Sequence, residues 1–332
     1  MIIDAYAHFF PPKYFAKLAT MVDAKQMQPW FNNPPLSQLD ARLKTIEAIP
    51  DYRQVIVNSM PPIEKLGGPD ITPDLARLAN DGFAELCRTY PNHFAAFAAA
   101  LPMDNPAAAV REIDRAVTEL GARGIQIFSN VNGKPLDDPM FFEIFERMAY
   151  HDLPIWLHPV RTGEFSDYAT LRNSKFAIFF TFGWPYETSV AMTHLVFSGI
   201  FDKLPKIKII AHHMGAMIPF FEGRIGVGFD DFTRFSDDQE FKSALSKLAK
   251  HPSEYYKMFY SDTAMFGTVA GTRCGLEYFG IDHCLFGTDA PFGVPGGVTT
   301  VTDTIHIIDE LVEDPHQHSL IMAENARRLL RL

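Results

Sequence analysis

The chain has 332 residues, 47% apolar and 21% charged, a balance that fits a globular protein with a large core and excludes a disordered or fibrous one. Its net charge of −10 lacks the basic footprint that a nucleic-acid backbone requires, yet leaves room for a small anionic substrate held by local positive charge. No uninterrupted apolar run is long enough to span a bilayer, so no membrane partner is expected.

Short apolar runs alternate with helical patterns from end to end. Ile2–His8 reads as a first strand ending in His8, with Tyr6 two positions earlier on the same face. Met21–Gln38 breaks the rhythm, rich in Pro and Asn around Trp30 and Phe31. Gln54–Val57 is the next strand, and Thr72-Pro73 opens a helix with Leu75, Leu78 and Leu86 facing inward. After the strand Phe94–Ala99, Asp104-Asn105-Pro106 places cap residues before a first-turn proline. Val110, Ile113, Val117 and Leu120 then form one apolar stripe, and Gly121 closes the helix.

Gly124–Phe128 is a fourth strand, and Asp137-Asp138-Pro139 opens another helix by the same device. Pro154–Pro159 carries a fifth strand ending in His158. A long aromatic loop, Thr162–Pro185, follows. Lys208–Ala211 is a strand ending in the pair His212 and His213, Met258–Ser261 is a seventh, and Leu285–Gly287 leads into Asp289.

Eight strands alternating with helices imply a parallel sheet covered by its crossovers. A doubly wound sheet shares this rhythm. The closed (β/α)₈ TIM barrel is the expectation because ligand-type residues follow both the first and the last strand, and closure makes those strands neighbours. No Gly-rich phosphate loop of the usual spacing is present. One barrel domain over 1–332 is expected, with the loops near 21–38 and 162–185 as insertions that either wall the pocket or only decorate the surface.

Four strands thus end in metal-ligand chemistry, where a barrel enzyme keeps its catalytic residues. His8 and His158 are candidate imidazole ligands for a divalent metal, and Asp289 can close the site as an oxygen ligand or act as a base, against the plainer readings of structural histidines and a helix cap. Of His212 and His213, adjacent on a strand, only one can point inward, as general acid or base; the other is structural. Three roles are open to Tyr6: a phenolate ligand, a hydrogen-bond donor to substrate, or a space filler. Arg161 and Arg224 are candidates to clamp a substrate carboxylate. Cys87, Cys274 and Cys284 lack Cys-x-x-Cys spacing and read as free thiols of a reducing compartment. The terminus opens on a strand without signal-peptide order, so the cytoplasm is the expected location.

These segments resemble the amidohydrolase superfamily, in its branch around aminocarboxymuconate semialdehyde decarboxylase and related aromatic-acid decarboxylases. The resemblance runs through Asp4–Pro12, Gly183–Thr188, Leu195–Gly199, His213-Met214-Gly215 with Pro219 and Gly223-Arg224-Ile225, Gly287–Phe292, and Glu324-Asn325-Ala326 with Leu329. It implies a (β/α)₈ barrel with one divalent metal, zinc or sometimes manganese, held by His8, His158 and Asp289. It makes His213, rather than His212, the acid/base histidine. It also implies a homodimer in which Arg224 reaches the neighbouring subunit's substrate.

The chain departs from the pattern twice. Tyr6 stands where the family's first histidine belongs, and Met21–Gln38 offers no counterpart of the decarboxylase's other substrate arginine. The leading functional expectation is a non-oxidative decarboxylase of an aromatic or muconate-like acid. A hydrolase or hydratase of the same branch, and a metal-free binding homologue, are the rivals.

Overall fold

A computed structural model describes residues 1–25, 27–293 and 295–332. Eight parallel strands form the framework. β1 is Ile2–His8 and β2 Tyr52–Val57. β3 is Phe94–Phe97, prolonged by Ala99–Ala100. β4 is Ile125–Phe128, β5 Ile155–His158, β6 Ile209–Ala211, β7 Tyr260–Asp262 and β8 Cys284–Leu285. Each pairs in parallel with the next. β3 carries the sheet across one seam, its first half bonded to β2 and its prolongation to β4.

The other seam closes between β1 and the chain just beyond β8. Ala5 N–H donates to Phe286 O at 2.7 Å, Asp289 N–H to Tyr6 O at 3.0 Å, and His8 N–H to Ala290 O at 2.7 Å. A parallel bridge joins Ala7 to Ala290. The barrel is therefore closed, and the ends of the first and last strands are neighbours as the spacing of ligand-type residues implied.

Inside the barrel, Ile3, Val55, Ala96, Trp156, Ile210 and Leu285 form an apolar cluster with Ala323, Ala326, Leu329 and Leu330. Those last four belong to the closing helical segment, Leu320–Glu324 and Asn325–Leu330, which plugs one end. Asn325 fixes it by donating to Ile281 O at 2.7 Å and Cys284 O at 2.8 Å. Only the carboxyl-terminal mouth of the strands is left for a site.

The helix signals are realised with one shift. Asn105 caps Pro106–Thr118 by accepting from Ala108 N–H at 3.1 Å, and Asp138 accepts from Met140 N–H at 3.0 Å. The buried face of Pro106–Thr118 is Ala109, Glu112, Ile113 and Ala116, while Val110 and Val117 are half-buried. Glu112 turns inward because Asn80 donates to it at 2.7 Å and Arg115 pairs with it at 2.7 Å, which satisfies a charge that hydrophobic spacing alone cannot place. The three cysteines are unpaired. Among the described residues, no helix is long and apolar enough to cross a membrane.

Behind the mouth, Glu64 is buried and its Oε1 has no hydrogen-bond partner. Burial pushes its carboxyl up to about 8, so it is neutral near pH 7. A folded-state value above the unfolded one adds stability below the unfolded value of 4.5, and that stability is lost as pH rises through about 8. Glu64→Gln should remove this loss. Relative to wild type, the variant's unfolding free energy should rise with pH across this window, by at most about 1.4 kcal/mol per pH unit. Urea unfolding at pH 5 and pH 8.5 measures it, and an unchanged difference between the two proteins would refute the assignment.

Candidate metal centre

The site is built by strand ends. The β1–β2 register slips between Asp4 and Ala7. Beyond the slip, Tyr6 and His8 turn to the mouth with ring centroids 5.5 Å apart. Asp4 braces this turn from below: it accepts from Tyr6 N–H at 3.1 Å, from Thr288 N–H at 3.1 Å and from the hydroxyls of Thr288 and Tyr52. One carboxylate thereby ties the end of β1 to the chain that carries Asp289. Burial lifts the Asp4 carboxyl to about 6, against those hydrogen bonds and the charge of Arg42.

His8 and His158 share one construction. His8 Nδ1 lies 2.6 Å from Asn58 O, and His158 Nδ1 lies 2.6 Å from Pro159 O. A carbonyl only accepts, so each Nδ1 carries a proton and each Nε2 is the nitrogen turned toward the cluster. His8 Nε2 is buried without a hydrogen-bond partner, although Asp289 Oδ1 stands 3.1 Å away. Burial first, then the neighbouring imidazoles of His8 and His212, hold His158 well below the usual histidine range and keep it neutral. Backbone-anchored imidazoles with their Nε2 atoms turned to one space have the form of a metal ion's ligands.

Asp289 occupies a left-handed backbone conformation, φ +63°, in the turn that follows β8. Burial raises its carboxyl, but the imidazoles of His212, His213 and His8 that face it, His212 first, outweigh that and hold it well below the usual carboxylate range. It is an anion inside a ring of imidazoles.

The histidine pair after β6 is the part least visible in the sequence. His212 is wholly buried. Its Nδ1 sits 2.6 Å from Asp262 Oδ2, and its Nε2 sits 3.3 Å from Asp289 Oδ1. Burial disfavours its charge, but the two carboxylates, Asp262 foremost, push it up to about 9. The chain then turns sharply: His213 (φ +56°), Met214 (φ +53°) and Ala216 (φ +58°) all take left-handed conformations, which are costly for residues with a Cβ.

Asp262 supports the turn by accepting from His213 N–H at 3.2 Å and Ala264 N–H at 3.0 Å. Gly275 makes room for it, since a Cβ there would lie 1.9 Å from Met214 Cγ. His213 reaches the site's edge, its Nε2 3.7 Å from Asp289 Oδ2 and its side chain 17% exposed. Burial and the adjacent His212 lower its pKa.

Two groups of three side chains bring their donor atoms within 4.8 Å of one another: His8, His158 and His212; and His212, His213 and Asp289. His212 belongs to both. It links the two groups, and neither of them holds His8, His158 and Asp289 together, the ligand set that the sequence suggested. Asp262, which carries His212, went unnoticed in the sequence; its only signal was its place at the end of β7.

Tyr6 lies flat against His212, with centroids 3.7 Å apart and planes 12° apart, and its buried hydroxyl has no partner. Burial, then Asp262 and Asp289, raise its pKa well above the ordinary phenol value. Neither arginine pairs with a residue of the cluster. Arg161 is bound to Glu187 at 2.6 Å and lies 4.8 Å from the Phe165 ring. Arg224 is exposed on the helix Glu222–Phe235, beside an outer groove of about 670 Å³ lined by Tyr186, Phe221, Phe229 and Tyr256. None of the residues that line this groove belongs to the histidine cluster.

Aromatic residues wall the mouth. Phe128 meets His158 edge-on at 5.2 Å, Trp184 at 5.5 Å, and Phe292 meets His8 at 5.7 Å. Trp184 comes from the end of the long aromatic loop and Trp30 from the early one, and both join a cluster with Met60, Phe128 and Val160. Both insertions therefore contribute to the pocket wall. Gln26, within the early one, lies outside the described residues.

Comparison with known proteins agrees with this geometry. The family profile described as Amidohydrolase matches residues 3–332. The chain is 30% identical over 259 residues to 2-amino-3-carboxymuconate-6-semialdehyde decarboxylase of Dictyostelium discoideum, covering 78% of this chain and 67% of that one. It is 30% identical over 291 residues to gamma-resorcylate decarboxylase of a Polaromonas species, covering 84% and 86%.

Among solved structures, 5-carboxyvanillate decarboxylase of Sphingomonas paucimobilis superposes with a TM-score of 0.80 at 25% identity, covering 100% of this chain and 99% of that one. A dihydroxybenzoic acid decarboxylase from Polaromonas, solved with bound manganese and the inhibitor 2-nitroresorcinol, shares the fold at a TM-score of 0.80 and 24% identity, covering 100% and 97%. A profile that spans nearly the whole chain, with relatives at 30% identity over most of its length, places this protein in the amidohydrolase family.

Proposed function

We propose that the chain is a metal-dependent, non-oxidative decarboxylase of an aromatic or muconate-like carboxylic acid. The observation that carries this reading is the approach of His8 to Asp289 at 3.1 Å and to His158 at a ring separation of 5.1 Å, beneath an aromatic wall at a barrel mouth closed from below. Relatives whose names specify aromatic-acid and muconate semialdehyde decarboxylation support it. His8, His158 and Asp289 would hold the ion. Zinc is the ion we assign, since imidazole-rich sets suit it, with manganese the alternative that two structural relatives carry. A divalent cation held there would supply Lewis-acid polarisation to the bound acid.

The protein's own groups do the rest. Phe128, Trp184 and Phe292 hold a planar ring and exclude water from it. His213, at the edge of the pocket and next to Asp289, manages the proton that goes to the carbon losing its carboxylate. Asp289 shares that proton traffic. The carbon–carboxylate bond then breaks, its electron pair reforms the conjugated system, and carbon dioxide leaves. Tyr6 closes the floor of the pocket, and Arg161 stands on the loop after His158 with its charge balanced by Glu187.

We further propose a homodimer built on the outer groove. Arg224 lines that groove, and Phe220 and Phe235, near the two ends of its helix, are 79% and 78% exposed. Apolar exposure of this kind on a soluble domain marks an interaction surface.

Three outcomes are expected. Metal-loaded protein should release carbon dioxide from members of a panel of hydroxybenzoates and muconates; chelation should abolish the release, and zinc or manganese should restore it. No release from any panel member would end the decarboxylase reading. Trp184→Ala should raise KM by about tenfold, since an aromatic contact and its buried area are removed, with a smaller effect on kcat; steady-state kinetics on the best substrate would show it. Light scattering on the purified chain should give twice the mass of one chain, and Phe235→Lys with Phe220→Lys should shift it to the monomer.

A further inference from the structure

We infer that His212 is itself a metal ligand, supplying the coordination that Tyr6, standing where the family carries its first histidine, does not provide. The inference rests on the metal-dependent reading above and concerns only this chain's residues toward that ion. Three distances carry it. His212 Nε2 lies 3.3 Å from Asp289 Oδ1, and His8 Nε2 lies 3.1 Å from the same oxygen. Donor atoms sharing a tetrahedral ion at ordinary zinc–nitrogen and zinc–oxygen distances stand about 3.3 Å apart. The donor atoms of His8, His158 and His212 also fall together within 4.8 Å.

The rest of the His212 environment has the form of a metal ligand's support. Its Nδ1 is taken by Asp262 at 2.6 Å, the carboxylate–histidine arrangement that fixes ring orientation and leaves Nε2 for an ion. Asp262 is in turn held by two backbone N–H donors, so the ring is anchored to the β6 and β7 ends. Tyr6 supplies the remaining constraint. Its ring lies flat on the imidazole at 3.7 Å, fixing the plane in which Nε2 approaches the cluster. Tyr6 is thus a positioning residue, and the histidine lost from β1 is replaced by one from β6. His213, on the strained turn outside, remains for proton transfer.

The test reads metal, not turnover. Full-length protein and the variants His212→Gln, His8→Gln, His158→Gln, His213→Gln, Tyr6→Phe and Asp262→Asn would be loaded with cobalt(II) and dialysed against a graded chelator. Retained metal would be counted by elemental analysis and coordination read from the visible absorption spectrum. Wild type should retain about one equivalent. His212→Gln should lose affinity by about tenfold or more and change the cobalt spectrum, as His8→Gln and His158→Gln do. Asp262→Asn should move in the same direction, while Tyr6→Phe, which keeps the stack, and His213→Gln should match wild type.

Circular dichroism of the metal-free proteins separates lost ligation from lost folding, and Asp262→Asn tests the same ligand with the imidazole in place. If His212→Gln keeps the wild-type spectrum and affinity while His8→Gln and His158→Gln lose them, the inference is wrong and the metal reading stands. If the wild type holds no metal, both fall.

Discussion

Barrel closure is the constraint on which everything else depends. Three backbone hydrogen bonds between β1 and the chain after β8, with Asp4 bracing both from beneath, bring His8 and Asp289 into contact from opposite ends of the sequence. An open sheet with the same strands would leave them at separate edges. The closing helix plugs the other end of the barrel, so the gathered side chains face a single opening.

What closure gathers is electrostatically unusual. Two buried carboxylates, Asp262 and Asp289, stand among four imidazoles, and no lysine or arginine pairs with either of them in the described structure. Such a cluster is costly unless its charges compensate one another or an ion. Asp289 stays ionised because three histidines face it, and His212 is drawn toward protonation because it lies between both acids. The backbone carbonyls behind His8 and His158 fix a proton on each Nδ1 and turn Nε2 toward the cluster, and burial keeps His158 neutral. Folding has thus sorted chemically identical side chains into anchored donors and carboxylate-bound ones.

Strain is concentrated at the same place. The residues after β6 adopt a run of left-handed conformations that a regular strand-to-helix connection does not need, and Asp289 does likewise after β8. Backbone strain persists only where surrounding contacts over-determine it. Here Asp262, Gly275 and the β1–β8 seam provide those contacts. The aromatic wall is supplied separately, by the two insertions, so the metal cluster and the pocket that selects its substrate are built from different parts of the chain. The outer groove and its exposed phenylalanines belong to neither.

Much of this was legible in the chain itself. Strand–helix alternation, cap residues such as Asn105 and Asp138, and ligand-type residues at four strand ends determined a closed α/β barrel with a metal-competent mouth, because periodicity and capping are local properties of sequence. Other features were decided only in three dimensions. Glu112 is buried through Asn80 on another helix as well as its own neighbour Arg115, and hydrophobic spacing cannot register the former. Arg161 is neutralised by Glu187, and Arg224 faces an outer groove, since a charge's partner is fixed by packing. Above all, adjacency told only that one of His212 and His213 points inward. A left-handed turn, with Asp262 behind it and Tyr6 stacked on the ring, put His212 at the centre and His213 at the rim, and those contacts exist only after distant strands have met.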